Sequence, residues 1–194
     1  MRSYFILCFL LFIISAPAFT QEFGGNPPSV KWQQVNTPEA RVIFPRGLDT
    51  AAQHIAGIVQ YLNRHTGATA GTAQRKINIV LQNQTTLANG YVGLAPWRSE
   101  FFLTPQFNSF QLGSLPWVDN LAIHEYRHVQ QYMNYRKGLS KLAYIILGEE
   151  GQAIANSAAI PNWFFEGDAV FQETAVSGQG RGRLPHFFNA YRSL

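Results

Sequence analysis

The chain has 194 residues, 46% of them apolar, which suits one domain with its own core and excludes a disordered tract. Charged residues are only 13% of the chain and the net charge is +4, with the basic residues scattered rather than clustered, which excludes a nucleic-acid footprint. A single cysteine, Cys8, excludes a disulfide framework.

The first residues are laid out as a secretory signal peptide. Arg2 gives a basic start, residues 5–14 form an unbroken apolar run, and Ala16-Pro17-Ala18 offers a small-residue cleavage site. The run is shorter than the roughly 20 apolar residues a membrane span needs. Residues 1–18 are therefore predicted to be removed, Cys8 with them. The remaining chain is predicted to be secreted or periplasmic, with no stable membrane span. Residues 19–30, rich in Gly, Pro and Asn, read as a leader.

Two short strands are predicted at 31–36 and 41–44, joined around Thr37-Pro38-Glu39 as a hairpin. A helix follows over 49–65, starting at Asp49 and closed by Gly67, with Ala52, Ile55, Ile58, Val59 and Leu62 on its apolar face. His54 and His65 on this helix read as structural or surface residues. Residues 76–82 alternate Ile77, Ile79 and Leu81 to one side, the pattern of a strand. A polar loop spans 83–89. Residues 90–104 carry Tyr91, Val92, Phe101, Phe102 and Leu103 around Pro96. Proline is confined to sheet edges and bulges, so this segment is predicted to be an exposed edge. Its open amides could pair with an extended peptide; a plain hairpin without that role is the alternative.

The sharpest chemical statement comes next. Residues 116–137 read as one helix, with Pro116 at its start and Gly138 just past its end. Leu121, His124, His128 and Tyr132 recur along one face, opposite Arg127, Gln130, Asn134 and Lys137. His124-Glu125-Tyr126-Arg127-His128 spells H-E-x-x-H. Positions i and i+4 of a helix lie one above the other, so both imidazoles can reach one metal while Glu125 faces a water beside it. Two histidines turned inward need partners, because unpaired buried polar groups are costly. A pair of structural histidines bonded to carbonyls is the alternative. Beyond this helix, residues 142–147 read as an apolar helix packing behind it, and Glu149 and Glu150 as solvated loop residues.

A catalytic zinc takes three protein ligands and keeps one position open. The stretch Trp163-Phe164-Phe165-Glu166-Gly167-Asp168-Ala169 reads as a turn into a second helix. Together with the upstream motif it resembles the W-x-x-E-G-x-A segment of gluzincin metallopeptidases. That resemblance implies Glu166 as third ligand, beside His124 and His128, and Glu125 as general base. Its alternative is an acid that stabilises a helix dipole; Glu173 is the reserve ligand. Thermolysin-like gluzincins carry an Asp four residues after the ligand Glu to orient a histidine. Here that position is Val170, and Asp168 and Glu173 are the candidates for such support.

The resemblance implies an α+β fold of zincin-like type: a small mixed sheet with an exposed edge strand, packed on the H-E-x-x-H helix and followed by the glutamate-bearing helix. It implies a catalytic core over 31–178, Zn²⁺ as cofactor, and a peptide or protein substrate, endopeptidase cleavage being slightly preferred. Gly178-Gln179-Gly180-Arg181-Gly182-Arg183 reads as a flexible basic loop, a linker or else a substrate-facing loop, and 179–194 is predicted to be a flexible tail or the start of a further C-terminal region. The gluzincin oxyanion donor, a Tyr or His, has no match by motif; His186 and Tyr191 are late candidates with surface roles as the alternative. The competing function is a catalytically inactive binding or scaffold module of a larger secreted protein.

Overall fold

The computed structural model describes residues 25–107 and 112–193. The predicted signal peptide and the first part of the predicted leader lie outside the described residues. Strands β1 (Trp32–Asn36) and β2 (Ala40–Pro45) precede helix α1 (Asp49–Ala70), then β3 (Ile77–Gln82), β4 (Gly90–Gly93) and β5 (Arg98–Phe102). Helices α2 (Trp117–Asn134), α3 (Gly138–Ala159) and α4 (Asn162–Val176) follow, then a 3₁₀ turn at Arg181–Arg183 and the short α5 (Asn189–Arg192). The result is α+β with a small mixed sheet in the order β1-β2-β3-β5-β4.

Period-two alternation builds the sheet. Val42 and Phe44 on β2, Ile77, Ile79 and Leu81 on β3, and Phe101 on β5 all point to one face and are almost fully buried. Ile55, Val59 and Leu62 of α1 and Leu121, Ala122 and Val129 of α2 close over that face. Fully burying an aliphatic side chain of this size contributes about 1.5–3 kcal/mol, so this layer holds the two helices in place. β2 and β3 are parallel, joined by α1 as crossover; β1 and β4 run antiparallel to their neighbours and form the two edges. β4 is thus an edge strand, and it lies beside α2. Among the described residues, no helix is long and apolar enough to cross a membrane.

Several segments differ from the sequence-based expectation. Of 90–104 only β4 lies at the edge, while β5 sits between β3 and β4 with Phe101 and Phe102 buried. Helix α2 stops at Asn134, and Gly138 opens α3 rather than following the end of α2. Helix α1 continues past Gly67 to Ala70, because Thr66 and Thr69 cap carbonyls inside the helix and Thr66 also meets Gln130 of α2. Residues 142–147 are helical but do not pack behind α2. Gly148, at φ 67° and ψ −146°, breaks α3 into two arms, a conformation that favours glycine. The arms fold back on each other through small residues: Ser140 donates to Asn156 at 2.8 Å, and Gly151 lies against the Ala143 carbonyl. That narrow face leaves Leu142, Ile145, Ile146 and Leu147 exposed. Glu149 is not a solvated loop residue. It opens the second arm, pairs with Arg75 at 2.6 Å and accepts the Trp97 amide at 3.1 Å; Glu150 is exposed. The last difference, at Arg181, belongs to the site.

Candidate metal centre

Helix α2 sets His124, Glu125 and His128 into the space between the sheet edge and α4. All three are buried, at 9%, 5% and 8% exposure. Helix α4 brings Glu166 to meet them from the open side, its side chain half exposed. The Nε2 atoms of His124 and His128 lie 3.2 Å apart. Glu166 places Oε2 3.2 Å from Nε2 of His124 and Oε1 3.7 Å from Nε2 of His128. These three side chains form a group able to hold one metal ion.

The far side of each ring explains its aim. Nδ1 of His124 lies 2.6 Å from Oε1 of Glu173, and Nδ1 of His128 lies 2.8 Å from Oε1 of Gln131. In a neutral ring whose Nδ1–H donates outward, Nε2 keeps its lone pair for the shared point. Gln131 is itself held, donating to the Phe165 carbonyl at 3.0 Å and to Asp168 at 2.7 Å. Asp168 also accepts two bonds from Arg127, at 2.7 and 2.9 Å. Glu173 is therefore not a third ligand but the support of His124, and Asp168 supports His128 through Gln131. Val170 leaves the i+4 position empty of an acid. Position i+7 returns to nearly the same helix face, which is how Glu173 reaches the ring.

Arg181 is the residue that sequence reasoning missed. The segment 178–183 is not a free linker: the 3₁₀ turn docks on α4, and Arg183 donates to the Thr174 and Ser177 carbonyls. Arg181 donates to both carboxylate oxygens of Glu173, its Nε at 2.8 Å, and Glu173 is completely buried. Gly-rich composition reads as flexibility, and the only hint of order was a lone Arg within reach of an acid-bearing helix. The other histidines stand away from the centre. His54 pairs with Asp119 at 2.7 Å, and His65 lies against Tyr61. His186 and Tyr191 are exposed and line none of the cleft.

Electrostatics separate the groups. Burial pushes the Glu125 carboxyl up to about 7, and no hydrogen bond from another described residue holds its charge. Burial opposes the charge on His124, but hydrogen bonds to Glu166 and Glu173 outweigh it and raise the metal-free imidazole to about 9. Burial, then the charge of His124, holds His128 below its ordinary value. The hydrogen bond from His124 depresses Glu166. For Glu173, burial is outweighed by the bonds from Arg181 and His124, and its carboxyl is depressed as well.

A cleft of about 440 Å³ runs over the centre, walled by Gly90, Tyr91 and Val92 of β4 on one side and by Asn156, Ser157 and Ile160 on the other. A second lobe of about 230 Å³ continues past Glu125 toward Asn120, Gln106 and Arg181. The β4 edge therefore borders the path that passes the two histidines. No family model, curated protein or solved structure matches the chain.

Proposed function

We propose that this chain is a secreted, zinc-dependent metallopeptidase of gluzincin type. The observation that carries the reading is the convergence of His124, His128 and Glu166 beside an unbonded, buried Glu125 at the floor of a cleft. A tetrahedral zinc with bonds of about 2.0–2.1 Å needs ligand atoms about 3.3 Å apart; the two Nε2 atoms are 3.2 Å apart, and with one atom from each residue all three lie within 4.8 Å of one another. Two imidazoles and a carboxylate suit zinc better than the all-oxygen shells of calcium or magnesium. Both imidazoles have the outward partners that a ligating histidine requires.

Bound there, zinc supplies Lewis acidity and a coordinated water of pKa roughly 7. The chain supplies the rest. Glu125 takes up a proton on its carboxylate as a peptide carbonyl is attacked, and hands it to the departing nitrogen. In the metal-free site, burial raises its carboxyl above the usual carboxylate range, which favours its holding a proton. β4 is an edge strand among the described residues and borders the cleft, so an extended peptide laid alongside it would carry its scissile bond across the His124–Glu125 floor. The Glu173–Arg181 and Asp168–Arg127 pairs keep the rings fixed.

Glu125→Gln tests the mechanism. It should keep one zinc per chain and lose peptide cleavage, whereas His124→Ala should lose the zinc. Peptide cleavage by Glu125→Gln at the rate of the parent would refute the role given to Glu125.

A further inference from the structure

The metal helix itself carries a donor that the motif does not name. Peptide hydrolysis builds negative charge on the carbonyl oxygen, and a positioned donor at that oxygen is worth a large rate factor. We propose that the hydroxyl of Tyr132 is this donor. The inference rests on the peptidase reading and gives that site its oxyanion-binding residue.

Position comes first. Tyr132 lies one turn beyond His128 and two beyond His124, on the same face of α2. Helical side chains lean toward the N-terminus of their helix, so the ring leans back over the His128 turn. It lines the same cleft as His124, Glu125, His128 and Glu166. Phe165, the residue before Glu166, packs on the ring with centroids 5.6 Å apart. The ring is thus held between the two helices that supply the metal ligands.

Partnering comes second. Tyr132 is half-buried, and a hydroxyl on the cleft wall is free to bond what enters the cleft. The Tyr126 hydroxyl donates to Asn63, and the Tyr91 hydroxyl accepts from Arg98. The Tyr132 hydroxyl bonds to no other described residue, and only its backbone carbonyl is engaged, by Gln152. Tyr135 shares the contact with Phe165 but does not line the cleft. Burial, and after it the fields of Glu166 and Glu125, hold the Tyr132 proton on its oxygen. The group therefore stands in the cleft as a protonated donor within the electrostatic reach of both carboxylates. During attack the carbonyl π pair moves onto oxygen and the Tyr132 O–H bonds to it; the phenolic proton stays on Tyr132, and Glu125 alone carries the transferred proton.

Tyr132→Phe tests this with two readouts. Turnover of a peptide should fall about 10²–10³-fold, the range for removing one such donor, with KM changed little and zinc content as in the parent. A phosphinic peptide, whose tetrahedral anionic oxygen stands in for the developing charge, should bind Tyr132→Phe more weakly by a comparable factor. An uncleaved peptide should bind Glu125→Gln alike with or without Tyr132→Phe. Equal phosphinic-peptide affinity in parent and Tyr132→Phe overturns the inference, whatever the turnover. A parent that cleaves no peptide, yet binds the phosphinic peptide in a Tyr132-dependent way, overturns the peptidase reading and leaves the donor standing.

Discussion

Gly90→Ala should separate chemistry from stability. Gly90 opens β4 directly against α2. A methyl group there would lie 2.9 Å from Oε1 of Glu125, 2.9 Å from Cδ2 of Leu121 and 3.0 Å from Cγ of Glu125. Carbon contacts settle at about 3.5–4.0 Å, so Glu125 must retreat by roughly 0.5–1 Å. The backbone tolerates the change, since Gly90 does not have a positive φ. The crowded atoms are ends of side chains, which places the overpacking cost at the low end, about 1 kcal/mol. Reduced freedom in the unfolded chain offsets about 0.4–1 kcal/mol of that. The melting temperature should therefore stay within a few degrees of the parent. A general base displaced by about 1 Å costs on the order of 10²-fold, or about 2.7 kcal/mol in the barrier. The ligands are untouched, so zinc affinity should hold. Thermal melts, zinc titration and kcat/KM on a fluorogenic peptide read these three quantities. Parent-like kcat/KM in Gly90→Ala would refute the placement of Glu125 as a tightly positioned base.

Arg181→Ala should destabilise the chain by about 3 kcal/mol, because it strips the main countercharge from a fully buried Glu173; a denaturant midpoint equal to the parent's would show that Glu173 does not depend on it. Chelation should lower the melting temperature: at zinc one hundred times its Kd, binding adds about 2.7 kcal/mol, or about 5–10 °C for a chain of this size. Identical melts with and without a chelator would remove the metal from the fold. Acid should weaken zinc binding. In the metal-free chain His124 stays protonated up to about 9, above the ordinary 6.5 of an unfolded histidine. That proton's contribution to stability is complete below about 6.5 and is lost as pH rises through about 9. Zinc expels it, so affinity should climb about tenfold per pH unit on the approach to 9; competition titrations giving a flat affinity from about pH 7 to 8.5 would contradict the assignment.

Some of this structure was legible in the residues themselves. Alternation gave β3 its inward face, and the i, i+4 spacing put His124 and His128 on one side of α2. Pro96 pointed to an edge over 90–104, but only β4 lies there; Pro96 sits between β4 and β5, and β5 is interior to the sheet. Two things were not legible, for one physical reason: they depend on contacts made far along the chain. Apolar residues at 142–147 announce burial, yet Gly148 turns the arm back on itself and leaves those aliphatics facing out. Glycines at 178, 180 and 182 announce flexibility, yet the turn they form lets Arg181 reach Glu173. The support of His124 was sought at i+4 from Glu166, where Val170 stands; the helix offers i+7 equally well.

The salt link from Arg181 to Glu173 has a consequence for biogenesis. A ribosome delivers the two histidines long before it delivers the arginine. While the last turns remain in the exit tunnel, Glu173 lacks its countercharge and His124 lacks a settled tautomer. Under the proposed metal reading, the supports of the His124 ring would all be in place only once Arg181 has emerged.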